Sequence, residues 1–277
     1  MRALVLGGGG VTGVAWEIGV LRGLAEAGFD VTKADLVVGT SAGSVVGALV
    51  ASGADLDRMY SAQLTGSSEE IGARFGARQL LGFGWAMLRS RGDEVRYRTR
   101  LGRIALAART VDEAQRRAVI ASRIPVQDWP EQRLVITAVD AATGEFVTFD
   151  RDSGVGLIDA VGASCAVPGV WPPVTIGERR FIDGGVRSSA NADLAAGYDR
   201  VLVLAPISAG GGPVPKLADQ VAQLRRSGQV TVVVPDQPAR RAIGRNVLDP
   251  ARRAPSAKAG RAQGEAIAAA VAEVWSE

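Results

Sequence analysis

Two hydrophobic periods alternate along this chain. Short apolar runs at 4–6 and 36–38 read as buried strands. Each precedes a stretch with helical spacing: 14–27, ended by Gly28, and 42–52, stopped by Gly53. Asp55 is placed to cap a further helix through Leu64. This β-α-β-α order predicts an α/β fold with a mainly parallel sheet. From Ser67 to Arg109 the pattern blurs. It returns with a helix over 111–121, starting after Thr110, then strands over 133–139 and 145–149 around a Thr143-Gly144 turn. A helix over 156–163 follows, then strands over 179–182 and 200–204 with a short helix between them. Past Pro206 the pattern gives a Gly/Pro-rich turn, a helix, a strand over 229–234, an Arg-rich loop and an Ala-rich helix over 257–275. No repeat or linker divides the chain, so one domain over 1–277 is expected.

Residues 36–54 carry no charge, and Gly39, Gly43 and Gly47 lie at GxxxG spacing, the outline of a membrane-spanning helix. Thr40, Ser41, Ser44 and Ser52 make the stretch only weakly apolar, so it reads better as a buried strand and a small-residue helix. The N-terminal apolar run is too short for a signal-peptide core. The expectation is no transmembrane span and a cytoplasmic protein that contacts membranes at most peripherally.

Composition narrows the chemistry. The 277 residues are 47% hydrophobic and 22% charged, ample for a buried core and unlike a disordered chain. There is no histidine and one cysteine, Cys165. Ser-His-Asp and Cys-His machinery, imidazole metal sites, a four-cysteine zinc site and an intrachain disulfide are all excluded. Of the 32 basic residues only Lys33, Lys216 and Lys258 are lysines, a pattern of coding bias in a high-GC genome. The net charge of +3 therefore carries little meaning, and no nucleic-acid fingerprint accompanies it.

Gly8-Gly9-Gly10-Val11-Thr12-Gly13 fits G-x-G-x-x-G between a strand and a helix. Backbone amides and a helix N-terminus in such a loop face an anion. Either a pyrophosphate or the oxyanion of an acyl-transfer intermediate fits. A dinucleotide fold wants an acid at the end of the second strand. Here Asp35 stands at its start, and the end carries Gly39-Thr40-Ser41-Ala42-Gly43.

That second motif is G-x-S-x-G between strand and helix, the context of a nucleophile elbow. The sharp turn would expose the Ser41 hydroxyl at a helix N-terminus, with near-bare neighbours at Gly39 and Gly43. The Ala42 amide would face a developing oxyanion. A serine needs a base, and without histidine the best placed is Asp183 in Phe181-Ile182-Asp183-Gly184-Gly185. Asp140, at another strand end, is second. Asp159 and Asp193 read as helix-start residues. The bland alternatives are a glycine-rich packing turn at Ser41 and a turn-holding carboxylate at Asp183.

These motifs together resemble the patatin-like phospholipase family, of a bacterial type. The resemblance rests on 8–13, on 39–43, on Asp183-Gly184-Gly185, and on Ala163-Ser164-Cys165-Ala166-Val167-Pro168, which is followed by Trp171-Pro172-Pro173. It covers roughly 1–205, with 206–277 a loosely matching strand and helix extension. It implies a three-layer α/β/α sandwich and a Ser41–Asp183 dyad, supported by Gly13, Gly39, Gly43, Gly184 and Gly185. It implies an oxyanion hole from the amides of Gly8, Gly9 and Gly10. The implied activity is metal-independent and cofactor-free hydrolysis of phospholipid or other acyl esters. Thr12 stands where members often carry Arg or Lys, which removes a charge beside the loop. The rivals are a Rossmann-type dinucleotide-binding protein and a non-catalytic lipid-binding scaffold. Residues 75–103 read either as a lid or membrane-surface element, with aromatics meeting lipid and arginines meeting headgroups, or as a solvated face over ordinary core. Cys165 reads as a small buried residue, Trp171-Pro172-Pro173 as a rigid turn near the site, and the stretch from Arg240 to Arg253 as a solvated loop.

Overall fold

A computed structural model describes residues 1–65 and 76–275. Its strands are β1 (Arg2–Leu6), β2 (Leu36–Gly39), β3 (Leu134–Asp140), β4 (Phe146–Phe149), β5 (Val174–Ile176), β6 (Arg179–Asp183), β7 (Arg200–Leu204) and β8 (Gln229–Val233). Its α-helices are α1 (Gly10–Glu26), α2 (Ala42–Ala51), α3 (Leu56–Thr65), α4 (Ala77–Ser90), α5 (Glu94–Ala107), α6 (Glu113–Arg123), α7 (Leu157–Ser164), α8 (Leu217–Leu224), α9 (Gln237–Ile243) and α10 (Arg253–Trp275).

The strands form one sheet in the order β5-β6-β3-β2-β1-β7-β8, with β4 also paired to β3. The pairings from β3 through β2, β1 and β7 to β8 are parallel. Those among β3, β4, β5 and β6 are antiparallel. Successive side chains of β1 point to opposite faces, which builds two cores. Leu4 and Leu6 pack with α1, α2, α7 and α10. Ala3 and Val5 pack with α8 and with Ala192 and Ala195 of a short 3-10 turn. Helices thus cover both faces of a mainly parallel sheet, the α/β sandwich expected from the sequence. No helix among the described residues is long and apolar enough to cross a membrane. Residues 36–54 are β2, α2 and the turn after it, and most are buried.

Several local expectations need correction. Helix α1 starts at Gly10, not Val14, so Gly13 lies inside a helix. Helix α6 starts at Glu113 because Asp112, not Thr110, accepts the Ala114 and Gln115 amides. The blurred stretch contains α4 and α5, joined by a turn with Arg91 in the left-handed region. Ser67 and Phe75 lie outside the described residues. The prolines 172–173 lead into a strand, β5, which pairs with β6. The stretch from Arg240 to Arg253 is a loop only over 244–249. It opens on the last turn of α9 and closes on a 3-10 turn and the start of α10, and Arg253 is buried with its guanidinium on Gln63 Oε1.

Candidate active site

Ser41 sits between β2 and α2 with φ 52° and ψ −114°, a conformation that ordinary residues avoid. The surrounding contacts hold it there. Its amide donates to Ser164 Oγ at 2.9 Å, and its carbonyl accepts from Ser44 Oγ at 2.7 Å and from the Cys165 thiol at 3.3 Å. A side chain at Gly43 would fall on the Leu6 carbonyl, so α2 can cross β1 this closely only with glycine there.

Asp183 ends β6. Its amide donates to Ala166 O at 3.0 Å. Its Oδ1 accepts the Gly185 amide at 2.7 Å, and its Oδ2 accepts the Ser41 hydroxyl at 2.7 Å. Both residues are nearly inaccessible to solvent, at 8% for Ser41 and 5% for Asp183. Burial pushes the Asp183 carboxyl up to about 7, against the opposing pull of the Ser41 and Gly185 hydrogen bonds.

A buried polar cluster ties the two turns together. Asn191, itself left-handed at φ 50°, donates from Nδ2 to Thr40 Oγ1 and Ser188 O, both at 3.0 Å, and lies 3.3 Å from Gly184 O. Thr40 Oγ1 and Thr137 Oγ1 are 3.0 Å apart. A Cβ at Gly184 would fall on Thr137 Oγ1, so close approach demands glycine here as well.

The glycine loop differs from expectation in one respect. The Gly8 amide donates to Ser189 O at 2.7 Å, so it is not available to an oxyanion. The amides of Gly9, Gly10 and Ala42 donate to no protein group among the described residues. Gly10 and Ala42 line a small cavity at Ser41 together with Arg116, Val167, Trp171 and Leu248. A larger cavity of about 640 Å³ adjoins it and shares the walls Val11, Val14, Val45 and Arg123. Thr12 is buried, with its amide and hydroxyl both on Val247 O. Arg116 and Arg123 of α6 line the small cavity at Ser41. The Arg116 guanidinium lies 3.9 Å from the centre of the Trp171 ring.

The other candidates are placed elsewhere. Asp140 accepts the Ala142 and Thr143 amides at 2.9 Å and Arg179 Nε at 2.7 Å. Burial raises its pKa, but those amides and Arg179 together hold it below the usual carboxylate range, which makes it a turn-holding group. Asp159 pairs with Arg117 and Asp193 with Arg187 near their helix starts. Asp35 precedes β2 and accepts the Arg2 amide at 2.6 Å, while β2 ends on Gly39 and not on the acid a dinucleotide fold needs there. Cys165 is buried, and burial followed by the Asp183 charge pushes its thiol up, away from thiolate chemistry. No group of metal-ligating side chains assembles among the described residues. Sequence reading gave no role to Ser164, Thr137, Asn191, Arg116 or Arg123. Ser164 lies inside the quoted 163–168 segment, whereas the others carry no local signal.

A family model described as patatin-like phospholipase matches residues 4–196. Lysophospholipase NTE1 of Phaeosphaeria nodorum is 45% identical over 74 residues, which is 27% of this chain and 4% of that protein. Lysophospholipase nte1 of Aspergillus oryzae is 51% identical over 57 residues, 21% of this chain and 3% of that protein. The chain thus spans a few per cent of the length of these curated relatives. The solved structure of VipD from Legionella pneumophila aligns over 97% of this chain and 67% of its own, with a TM-score of 0.49 and 13% identity.

Proposed function

The chain belongs to the patatin-like phospholipase family, and from that premise we propose that it hydrolyses acyl esters of lipids, phospholipid or lysophospholipid, through an acyl-enzyme on Ser41. The observation that carries the reading is the 2.7 Å hydrogen bond from the Ser41 hydroxyl to Asp183 Oδ2 at a strained strand–helix turn.

In this mechanism Ser41 Oγ attacks the ester carbonyl while Asp183 takes its proton. A carboxyl near 7 accepts a proton far better at neutral pH than one near 4. Charge develops on the carbonyl oxygen. The Gly9, Gly10 and Ala42 amides, at the starts of α1 and α2, are the donors suited to it. The intermediate collapses, and Asp183 returns the proton to the departing alcohol. A water, deprotonated by Asp183, then attacks the acyl carbonyl, releasing a fatty acid and regenerating Ser41. No step calls on a metal or cofactor. The 640 Å³ cavity beside the serine has the size of a ligand site, and its Val11, Val14, Val45, Leu49 and Met59 walls suit an acyl chain.

The reading includes peripheral contact with a membrane surface, where such substrates reside, and takes 1–277 as one domain. Leu248, beyond the family match, supports this by lining the pocket. Fatty-acid release from lysophosphatidylcholine by wild type and Ser41→Ala tests the reading. Release by wild type alone is expected, and equal release by the variant would overturn it.

A further inference from the structure

Helix α4 carries apolar side chains on both of its faces. One face, with Phe83 and Ala86, packs against Tyr97, Leu101 and Ile104 of α5. The other presents Leu80, Leu81, Trp85 and Leu88, with Gly84 between them, and these four side chains are 60%, 74%, 49% and 78% exposed. Positions 80, 81, 84, 85 and 88 lie on one side of a helix of 3.6 residues per turn, so the exposed residues form a continuous stripe. Of the ten large hydrophobic residues that stand exposed among the described residues, seven lie on α4 and α5.

Burying a helix face normally removes such residues from water, and a contiguous exposed patch marks an interaction surface. Its rim is cationic. Residues 77–107 contain seven arginines against two acids, and Arg89, Arg91, Arg96 and Arg103 are exposed. Arg100 and Arg89 lie over the Trp85 ring at 5.2 and 5.9 Å, so the indole joins the apolar stripe to the charged rim.

Resting on the lipid-ester reading above, we infer that the outer face of α4 docks the protein on an anionic lipid surface. The stripe enters the headgroup–acyl boundary while the arginines meet the headgroup charge. The charge pattern selects this occupant over a second copy of the chain. Two such faces brought together would oppose like-charged rims, whereas an anionic bilayer neutralises them. The face is also coupled to the site. Gln79 of the same helix donates to Gly169 O at 3.1 Å, in the segment between the pocket residues Val167 and Trp171.

Vesicle flotation of the full chain tests this. Vesicles would be phosphatidylcholine alone or an equimolar mixture with phosphatidylglycerol. Wild type and Ser41→Ala should both float with the mixed vesicles, and at least about tenfold less with neutral ones. Leu81→Glu/Leu88→Glu should lose at least about tenfold of the bound fraction while cleaving a water-soluble short-chain ester at the wild-type rate. Circular dichroism and Leu81→Ser/Leu88→Ser provide the folding control. Flotation of the Glu double variant at the wild-type level, or no flotation of wild type, would overturn the inference. So would a wild-type dimer in sedimentation that the double variant abolishes without any flotation. Flotation without ester cleavage would instead sink the hydrolase reading and leave the docking face standing.

Discussion

Ser41 and Asp183 meet because both are set by β3. Gly39, two residues before the serine, pairs with Ile136 on β3, and Asp183 pairs with Ala138, two residues further along the same strand. One neighbour runs parallel and the other antiparallel, so a turn after β2 and the end of β6 arrive at the same level. The 2.7 Å hydrogen bond then needs little from flexible side chains, since both turns are fixed through backbone.

This geometry sets the pH dependence. On the proposed mechanism Asp183 must be ionised to accept the Ser41 proton, and burial pushes its carboxyl up to about 7. The rate kcat/KM for a soluble ester should rise with pH through about 7 and level off above it. Asp183→Asn should lose at least about 10³-fold. A profile already flat at pH 5 would contradict the role.

The same burial costs stability. An unfolded Asp183 ionises near 3.8, whereas the folded one holds its proton to about 7. Above pH 3.8 the unfolded state releases the proton first, so stability falls as pH rises to about 7 and is then constant. By linkage the cost at pH 8 is on the order of 4 kcal/mol. Asp183→Asn should therefore melt higher than wild type at pH 8 and show little gain at pH 4, as measured by calorimetry.

Half of this site was legible in the sequence and half was not. Gly39, Ser41 and Gly43 announce an elbow because local sterics allow few other residues there. Asp183 stands out because two glycines follow a strand end. The Gly8 amide looked available until the fold brought Ser189 O to it. Ser164 and Asn191 reach the site across 123 and 151 residues respectively, a tertiary relation that no spacing reveals. The sheet's parallel half followed from its β-α-β rhythm. The short β5 did not, because its three residues follow two prolines and carry too little pattern.

On the proposed mechanism Ser164 and Asn191 would act as positioning residues, since one accepts the Ser41 amide and the other donates to Thr40 beside it. Ser164→Ala leaves the Ser41 amide without an acceptor in a buried turn, which should cost about 1–3 kcal/mol of stability. Asn191→Ala removes the link between Thr40 and the Gly184 turn. Both should lower kcat for a soluble ester with little change in KM and without moving the pH midpoint set by Asp183. A pure loss of Tm with unchanged kcat would show a structural role only.

Glu17 is fully buried on α1, and neither carboxyl oxygen has a hydrogen-bond partner among the described residues. Burial pushes its pKa well above the ordinary value, and the nearby Gly7 amide offsets only part of this. Burial thus favours the neutral acid in the folded chain, so the carboxyl's contribution to stability falls as pH rises above about 4.5, where the unfolded carboxyl ionises. Glu17→Gln should match wild type near pH 4 and exceed its Tm at pH 8. A variant that loses Tm equally at both pH values would contradict this.

The larger cavity should read acyl length. Val45→Trp would fill the wall it shares with the Ser41 pocket. Long-chain p-nitrophenyl esters should lose at least about tenfold in kcat/KM while acetate and butyrate esters change little. A uniform loss across chain lengths would place the acyl chain elsewhere.

The most direct test of the central claim is intact mass after fluorophosphonate treatment of wild type, Ser41→Ala and Asp183→Asn, repeated with lipid vesicles present. The account predicts one adduct on wild type, none on Ser41→Ala and a slowed reaction on Asp183→Asn. An adduct persisting in Ser41→Ala, or none on folded wild type under either condition, would contradict an activated Ser41.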